Sequence, residues 1–194
     1  DGVLVNAQPE YDDVVRAADA LGRPVSEVLA ERQVGKVFAR GPSLMRGYFK
    51  QPEVTAQVLS GDGWLDTGDE GYVVDGQVVV CGRRKDVIIM GGRNIYPTDI
   101  ERAATAVEGV RAGNAVAVRL DAGTRRERFA VVVESKLAGE DDAVRALSKE
   151  ISARVVDAVG LRPFSVVVLK PGSLPKTPSG KLRRSAAAGL VPTA

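Results

Sequence analysis

The most regular pattern in the sequence is a series of apolar residues that recur every third or fourth position across Asp141–Val159. This spacing predicts an amphipathic helix, with aspartates at the positive end of its dipole and Gly160 as the residue that ends it. A weaker pattern predicts a second helix over residues 99–107, where Thr98 and Glu101 have the spacing of a capping box.

Runs of β-branched residues predict strands in most of the remaining chain. Two of them flank the Asp-Gly pair at 75–76, which suits the positive φ angles of a type I′ hairpin turn. The part of the chain before the charged break at 82–86 is rich in strands, and the part after it alternates strands and helices. This order predicts an α+β fold in two units. The other predicted elements are strands over 34–40, 114–120, 129–135 and 165–169, and a short terminal helix over 182–188.

The composition excludes several kinds of chemistry. The 194 residues include no histidine and one cysteine, so the chain forms neither a histidine-based triad nor an internal disulfide framework. Lys plus Arg exceeds Asp plus Glu by 27 − 25 = 2, which does not favour a nucleic-acid partner. No apolar run approaches the ~20 residues of a membrane span, and the first residues lack the basic start of a signal peptide.

Three segments carry candidate chemistry, and the residues alone leave two interpretations of each. The Asp-Gly turn at 62–69 either presents a carboxylate to the vicinal hydroxyls of a ribose or is an ordinary turn. The basic residues at 82–86 either bind phosphate, through the planar fork of Arg and the point charge of Lys, or form a solvated linker. The loop at 175–181 either places the ammonium of Lys181 on a phosphate or belongs to a basic tail. It lacks the Walker A pattern.

Four motifs, in this order, resemble those of one family. They are RGPSLMRGYF at 40–49, GWLDTGDEG at 63–71, GRRKDVIIMGGRNIYPTDIE at 82–101 and LPKTPSGKLRR at 174–184. From about residue 14 to residue 184, the chain is similar to the C-terminal part of the adenylate-forming superfamily of acyl-CoA synthetases, luciferases and peptide-synthetase adenylation domains. Arg93 and Asp99 stand where acyl-CoA synthetases more often carry other residues, so the chain most resembles the fatty acyl-AMP ligases.

This resemblance implies a fold and a division of the chain. Residues 1–84 would form the end of a large N-terminal domain, as a β-rich piece of a distorted β-barrel with a hairpin. Residues 85–194 would form a small mobile C-terminal α+β domain with a three-stranded sheet. The family's phosphate loop, adenine-binding segment and acyl pocket would lie upstream of Asp1, so the resemblance implies a fragment that is inactive alone.

The resemblance also implies an ATP-dependent, AMP-forming acid ligase. Such an enzyme joins a fatty acid to the α-phosphate of ATP, releases pyrophosphate, and passes the acyl group to the phosphopantetheine thiol of an acyl carrier protein. Mg²⁺ would accompany ATP, with its site mainly upstream and no metal ligand in this chain, and the enzyme would be cytoplasmic. One alternative is a fatty acyl-CoA synthetase, with CoA as the acceptor. A second, from a different class, is a non-catalytic basic binding module.

Roles for individual residues follow from the same resemblance. Asp69 would hold the ribose hydroxyls of the nucleotide, Arg83 would contact its ribose or phosphate, and Lys85 would be the hinge of the small domain. The chain departs from the family pattern at Asp66, where many relatives carry Arg or Lys, and at Glu70, where Leu is usual. Both departures lie beside Asp69 and change the charge around the expected ribose site.

Two further roles belong to the small domain. Lys181 would be the lysine that catalyses adenylation, because a positioned ammonium offsets the charge that develops as a carboxylate attacks a phosphate. Gly91 and Gly92 would face the pantetheine arm after the small domain rotates, since the absence of a Cβ permits a close approach.

Overall fold

The computed structural model describes residues 34–74, 77–124 and 127–192. The chain divides into two compact units, Asp1–Lys85 and Asp86–Ala194. The described residues contain four α-helices and three small sheets. This confirms the predicted α+β class, and no sheet among these residues closes into a barrel.

The first unit is built on an antiparallel sheet with the order β1-β2-β3. The strong hairpin pattern of the sequence produces β2 and β3, which pair directly, although the predicted turn at 75–76 lies outside the described residues. The prediction of a strand over 34–40 is confirmed by β1, whereas helix α1 was not predicted. The elements are β1 (Gly35–Ala39), α1 (Pro52–Val58), β2 (Leu65–Val74) and β3 (Gln77–Arg83).

Few of the described side chains of the first unit are buried. Tyr72 and Cys81 are the buried apolar residues among its described positions. In contrast, Phe49 is 85% exposed and Val73 is 64% exposed.

The second unit contains a two-stranded hairpin, β4-β5, and a three-stranded sheet with the order β6-β7-β8. Strands β6 and β7 are antiparallel, and β8 returns parallel to β7 after a helical crossover. A single turn of 3-10 helix, Arg84–Asp86, spans the boundary between the units. The elements are β4 (Ile88–Met90), β5 (Arg93–Ile95), α2 (Pro97–Thr105), β6 (Val110–Leu120), β7 (Arg128–Ser135), α3 (Asp141–Val159), β8 (Ser165–Leu169) and α4 (Arg184–Ala188).

Alternating residues of β6 and β7 build a core on each face of this sheet. On one face, Ala117 and Val131 pack with apolar residues of α2 and α3, such as Ile100 and Ile151. On the other face, Val116, Val118, Ala130 and Val132 pack with Leu174, with Ala187 of α4 and with Val191. The sheet is therefore covered by α2 and α3 on one side and by the C-terminal segment on the other.

The boundaries of the helices confirm one sequence prediction and correct another. Helix α3 covers Asp141–Val159 as predicted, and Gly160 ends it with a φ of 73°. Helix α2 starts at Pro97, two residues earlier than predicted, with Tyr96 as its N-cap and no side-chain cap. The predicted capping box is wrong, because proline at the first position already supplies a helical φ and needs no amide partner.

Candidate functional site

Asp69 and Arg83 form an ion pair across the β2–β3 hairpin. They occupy facing positions in the register, and Arg83 Nε lies 3.1 Å from Asp69 Oδ1. The Asp69 amide donates to Thr67 Oγ1 at 3.1 Å, and the same hydroxyl donates to the Val37 carbonyl. The backbone under the pair is thus fixed, while the side chains of Asp69 and Arg83 stay 25% and 56% exposed and accessible to a ligand.

A β-bulge produces this pairing. From Val74↔Gln77 to Gly71↔Val80 the two strands pair in simple register, but Glu70 then faces Gly82 and Asp69 faces Arg83. One extra residue on β3, Cys81, is inserted at that point. Because a shift of one residue moves every side chain to the opposite face of a strand, Asp69 without the bulge would face Gly82 and would not meet Arg83.

A second ion pair lies beside the first. Arg84 Nη2 is 2.9 Å from Asp66 Oδ2, and Asp66 Oδ1 accepts the Gly68 amide at 2.9 Å. The hydrogen bond from Arg84, followed by that from Gly68, lowers the pKa of Asp66 below its ordinary value. The departure from the family pattern at Asp66 is therefore matched within the chain by a neighbouring arginine.

Lys85 is exposed at the centre of the 3-10 turn Arg84–Asp86 and is the last residue of the first compact unit. Gly91 and Gly92 form the two-residue tip of the β4–β5 hairpin, between the paired residues Met90 and Arg93. Their φ angles are 59° and 73°, as a type I′ turn requires. A Cβ built on either glycine would have no atom within 4 Å, so the hairpin tip is open.

Lys181 lies in a small hairpin within the loop between β8 and α4. Thr177 donates its amide to the Lys181 carbonyl at 2.8 Å, and Lys181 donates its own amide to Thr177 Oγ1 at 3.1 Å. The Arg183 backbone amide donates to the Pro175 carbonyl at 2.9 Å. Lys176 and Leu182 pair as an isolated antiparallel β-bridge. The side chain of Lys181 is exposed while its backbone is held, so the ammonium is presented from an ordered loop. The basic tail considered from the sequence is thus an ordered hairpin at this point.

Sequence reasoning missed the buried carboxylate that holds the end of this loop. Glu101, on α2, is 6% exposed, and it accepts Nε and Nη2 of Arg184 at 3.0 and 2.8 Å. Its Oε1 also accepts the Ala117 amide at 3.0 Å. Burial raises the pKa of Glu101, whereas Arg184 and the Ala117 amide act in the opposite direction. Arg184 also lies 3.5 Å from Asp86.

A second buried carboxylate holds the start of the loop. Glu134, on β7, is fully buried and accepts the Leu174 amide at 2.8 Å. Arg111 contacts its other oxygen at 2.8 Å. Burial alone would raise the pKa of Glu134, but the amides of Gly172 and Leu174 and the Arg111 guanidinium outweigh it and hold the pKa below its ordinary value. Local patterns gave no signal for these roles, since the partners are far apart in sequence.

In the first unit the structure places Asp69 against Arg83. The second unit contains the hairpin tip Gly91–Gly92 and, in a separate loop, Lys181. Within the described ranges, no cluster of three or more His, Cys, Asp or Glu side chains is placed to hold a metal ion. No helix in the described part of the chain is long and apolar enough to cross a bilayer.

Comparison with known proteins identifies similar sequences. Residues 92–186 match the family described as "AMP-binding enzyme C-terminal domain". The chain is 56% identical over 167 residues to a Mycobacterium tuberculosis protein provisionally named a ligase, which covers 85% of this chain and 30% of that protein. A Caulobacter vibrioides protein provisionally named an acyl-CoA synthetase is 43% identical over 182 residues, covering 93% of this chain and 30% of that protein.

A further relative and a solved structure carry more specific names. The long-chain-fatty-acid–AMP ligase FadD26 of M. tuberculosis is 36% identical over 169 residues, covering 79% of this chain and 28% of that protein. A structure from a study of fatty acyl-adenylate ligases of E. coli and L. pneumophila is 37% identical with a TM-score of 0.67, covering 81% of this chain and 27% of that one. The chain spans about 30% of the length of the curated relatives that it matches.

Proposed function

Because the chain belongs to the adenylate-forming superfamily of AMP-binding enzymes, we propose that it is the C-terminal part of a ligase that activates a carboxylic acid with ATP. The product of this step is an acyl-adenylate, and pyrophosphate leaves. In this proposal the first unit completes a larger N-terminal domain, and the second unit is a small domain that rotates.

The nucleotide would be held by the Asp69–Arg83 pair. A ribose has two vicinal hydroxyl donors, and an ionised carboxylate accepts hydrogen bonds only, so Asp69 can receive both. Arg83 offers donors to the ribose oxygens or to the phosphate and keeps Asp69 in place through the 3.1 Å contact. The bulge at Cys81 supports this role, because bulges commonly re-aim side chains next to active sites.

Lys181 would catalyse the adenylation step. As a carboxylate oxygen attacks the α-phosphorus and pyrophosphate departs, negative charge accumulates on the phosphate oxygens. An ammonium held at that position stabilises the charge, and the loss of one such contact commonly costs ~10²–10³ in rate. The observation that carries this role is the loop itself, which holds the backbone of Lys181 by the hydrogen bonds to Thr177 while leaving the side chain exposed.

The second step would transfer the acyl group to a thiol. Rotation of the small domain about Lys85 would withdraw Lys181 and bring the hairpin tip at Gly91 and Gly92 to the path of a pantetheine arm. The open space around both glycines supports this assignment. Lys85 suits a pivot because an exposed lysine stays solvated in both orientations.

We assign a fatty acid as the substrate, on the names of FadD26 and of the similar fatty acyl-adenylate ligases, and an acyl carrier protein as the acceptor. The Caulobacter relative favours CoA as the alternative acceptor. We assign none of the described residues to the metal that accompanies ATP. Because the reaction consumes ATP, we propose a cytoplasmic location.

The test compares Lys181→Ala with Lys176→Ala in the complete ligase. Both lysines are exposed in one hairpin, but only Lys181 is assigned to the phosphate. Pyrophosphate release with ATP, Mg²⁺ and a fatty acid should fall by about 10²-fold or more in Lys181→Ala and stay unchanged in Lys176→Ala. Transfer from pre-made acyl-AMP to phosphopantetheine should be unaffected in both.

Intact adenylation by Lys181→Ala would refute the catalytic role and leave Lys181 as an exposed basic residue of an ordered hairpin. The acceptor is decided in the same assay. Transfer to a phosphopantetheinylated carrier protein without transfer to free CoA supports the acyl-AMP ligase, and the reverse supports the acyl-CoA synthetase.

A further inference from the structure

Two buried carboxylates hold the two ends of the loop that carries Lys181, and neither of them belongs to the loop. Glu134 accepts the Leu174 amide at the start of the loop. Glu101 accepts the Arg184 guanidinium through two parallel hydrogen bonds at its end. Lys181 lies three residues before Arg184, so the second contact is the nearer one to the reacting ammonium.

The Glu101–Arg184 pair also joins layers of the fold that the sheet separates. Helix α2, with Glu101, packs on one face of the sheet, and α4, which begins at Arg184, packs on the other. The two side chains meet at β6, an edge strand, where Glu101 takes the Ala117 amide as well. The pair therefore links helix α2 directly to the end of the loop that carries Lys181.

Packing alone does not explain a charged pair at this place. Glu101 is buried and Arg184 is 31% exposed, so the pair pays a desolvation cost mainly at the carboxylate, and apolar residues of similar volume often hold a fold equally well. A bidentate Arg–carboxylate pair instead fixes distance and direction at once. A 1 Å misplacement of a catalytic group can cost ~10²-fold in rate, so a fixed direction is valuable next to Lys181.

We infer that Glu101 and Arg184 are positioning residues for adenylation, which act through Lys181 by fixing the end of its loop. This inference rests on the proposed role of Lys181. Arg184 is held in addition by Asp86, at 3.5 Å, and Asp86 directly follows the proposed hinge residue Lys85. The same guanidinium thus connects the residue after the hinge to the lysine loop.

The experiment is a double-mutant cycle of Glu101→Gln and Lys181→Ala in the complete ligase. Glu101→Gln keeps the shape of the side chain and removes its charge. We expect it to lower kcat for pyrophosphate release by about 10-fold or more, with the KM for ATP and the transfer from pre-made acyl-AMP unchanged. In the Lys181→Ala background the same change should have no further effect, because the group through which Glu101 acts is gone.

Glu127→Gln is the matched control. Glu127 is 8% exposed and, like Glu101, accepts both an arginine, Arg119, and a backbone amide, that of Ile89. Its hydrogen bonds within the described residues go to Arg119 and to the amides of Ile89 and Gly123, away from the loop that carries Lys181. The loss of its charge should therefore leave pyrophosphate release unchanged at matched thermal stability. Arg184→Lys is the second variant, since it keeps the counter-charge of Glu101 but loses the fork. It should show the same selective loss as Glu101→Gln.

Each other outcome overturns the inference. If Glu101→Gln and Arg184→Lys slow both half-reactions equally, lower the rate by the same factor with and without Lys181, or fail to fold, the pair is structural. The same holds if Glu127→Gln reproduces the selective loss. If Lys181→Ala itself leaves adenylation intact, the proposed catalytic lysine fails. If Lys181→Ala is slow but Glu101→Gln is not, only the positioning role fails.

Discussion

Substitution at the Gly91–Gly92 hairpin tip separates two reasons for having glycine there. Both residues have positive φ angles, which L-residues adopt at a cost, and both would point a Cβ into open space, which the proposed function assigns to a pantetheine arm. Alanine tests the first reason, because it adds strain with almost no bulk. Asparagine tests the second, because it tolerates positive φ and adds a longer side chain.

The magnitude for alanine follows from the backbone alone, since no atom lies within 4 Å of either Cβ. The left-handed conformation costs an L-residue roughly 1–2 kcal/mol. The smaller conformational freedom of the unfolded chain offsets ~0.4–1 kcal/mol of this. A net loss of about 1 kcal/mol per substitution is expected, which should appear as a small fall in the Tm of the complete ligase. Asparagine should lower it less.

The assay measures Tm, pyrophosphate release and transfer from pre-made acyl-AMP to phosphopantetheine for Gly92→Ala and Gly92→Asn in the complete ligase. Gly92→Asn should slow transfer by roughly 10-fold or more, with adenylation unchanged. Gly123→Asn is the matched control, because Gly123 has a φ of 76° and equally open surroundings in the same unit. Transfer that falls only in step with Tm, or that falls equally in Gly123→Asn, would refute the assignment of this space to the thiol.

Two further predictions concern the hinge and the anchor of the loop. Lys85→Pro in the complete ligase should slow one half-reaction far more than the other, because proline restricts φ and removes an amide donor at the pivot; equal losses in single-turnover assays of the two steps would count against Lys85 as the hinge. Because the pKa of Glu134 is lower in the folded chain than its ordinary value of 4.5, its charge stabilises the fold above about pH 4.5, and this contribution is lost as the pH falls through the lowered value. Glu134→Gln should therefore lower the urea midpoint at pH 7 and reduce its further fall towards pH 3. A wild-type and a variant midpoint that fall in parallel would contradict this account.

The sequence predicted those elements whose signal is local. Helix α3 has a complete amphipathic period, acidic residues at its start and a glycine at its end, and strand β8 is a single β-branched run bounded by polar loops. In α2 the local signals conflicted: Pro97 and the Thr98–Glu101 spacing both mark a helix start, and the structure follows Pro97. The Thr98 hydroxyl has no hydrogen-bond partner within the described residues, and the Glu101 carboxylate binds Arg184 and the Ala117 amide instead of the Thr98 amide.

The roles of Glu101 and Arg184 were beyond such local reasoning. The two residues are separated by 83 positions, and nothing near either of them in sequence indicates the other. Glu101 has the spacing of a capping residue, and Arg184 has the surroundings of a basic tail. Only the packing of α2 and α4 on opposite faces of one sheet edge brings them together, so their partnership needed the tertiary structure.

The Asp69–Arg83 pair, the candidate ribose site, depends on a one-residue shift in strand register that local sequence patterns did not predict. Near the turn the two strands pair in simple register from Val74↔Gln77 to Gly71↔Val80, and continuation of that register would place Asp69 opposite Gly82. The extra residue at Cys81 moves the pairing by one position. Arg83, which simple continuation would put on the opposite face from Asp69, then meets its carboxylate at 3.1 Å. No turn signal marks this bulge in the sequence. Close to it, a Cβ on Gly71 would lie 2.5 Å from the Val79 carbonyl oxygen, so the chain needs glycine where the strands approach most closely. The motif sequence alone does not place Asp69 opposite Arg83. The bulge at Cys81 and the glycine at position 71 make this pairing possible.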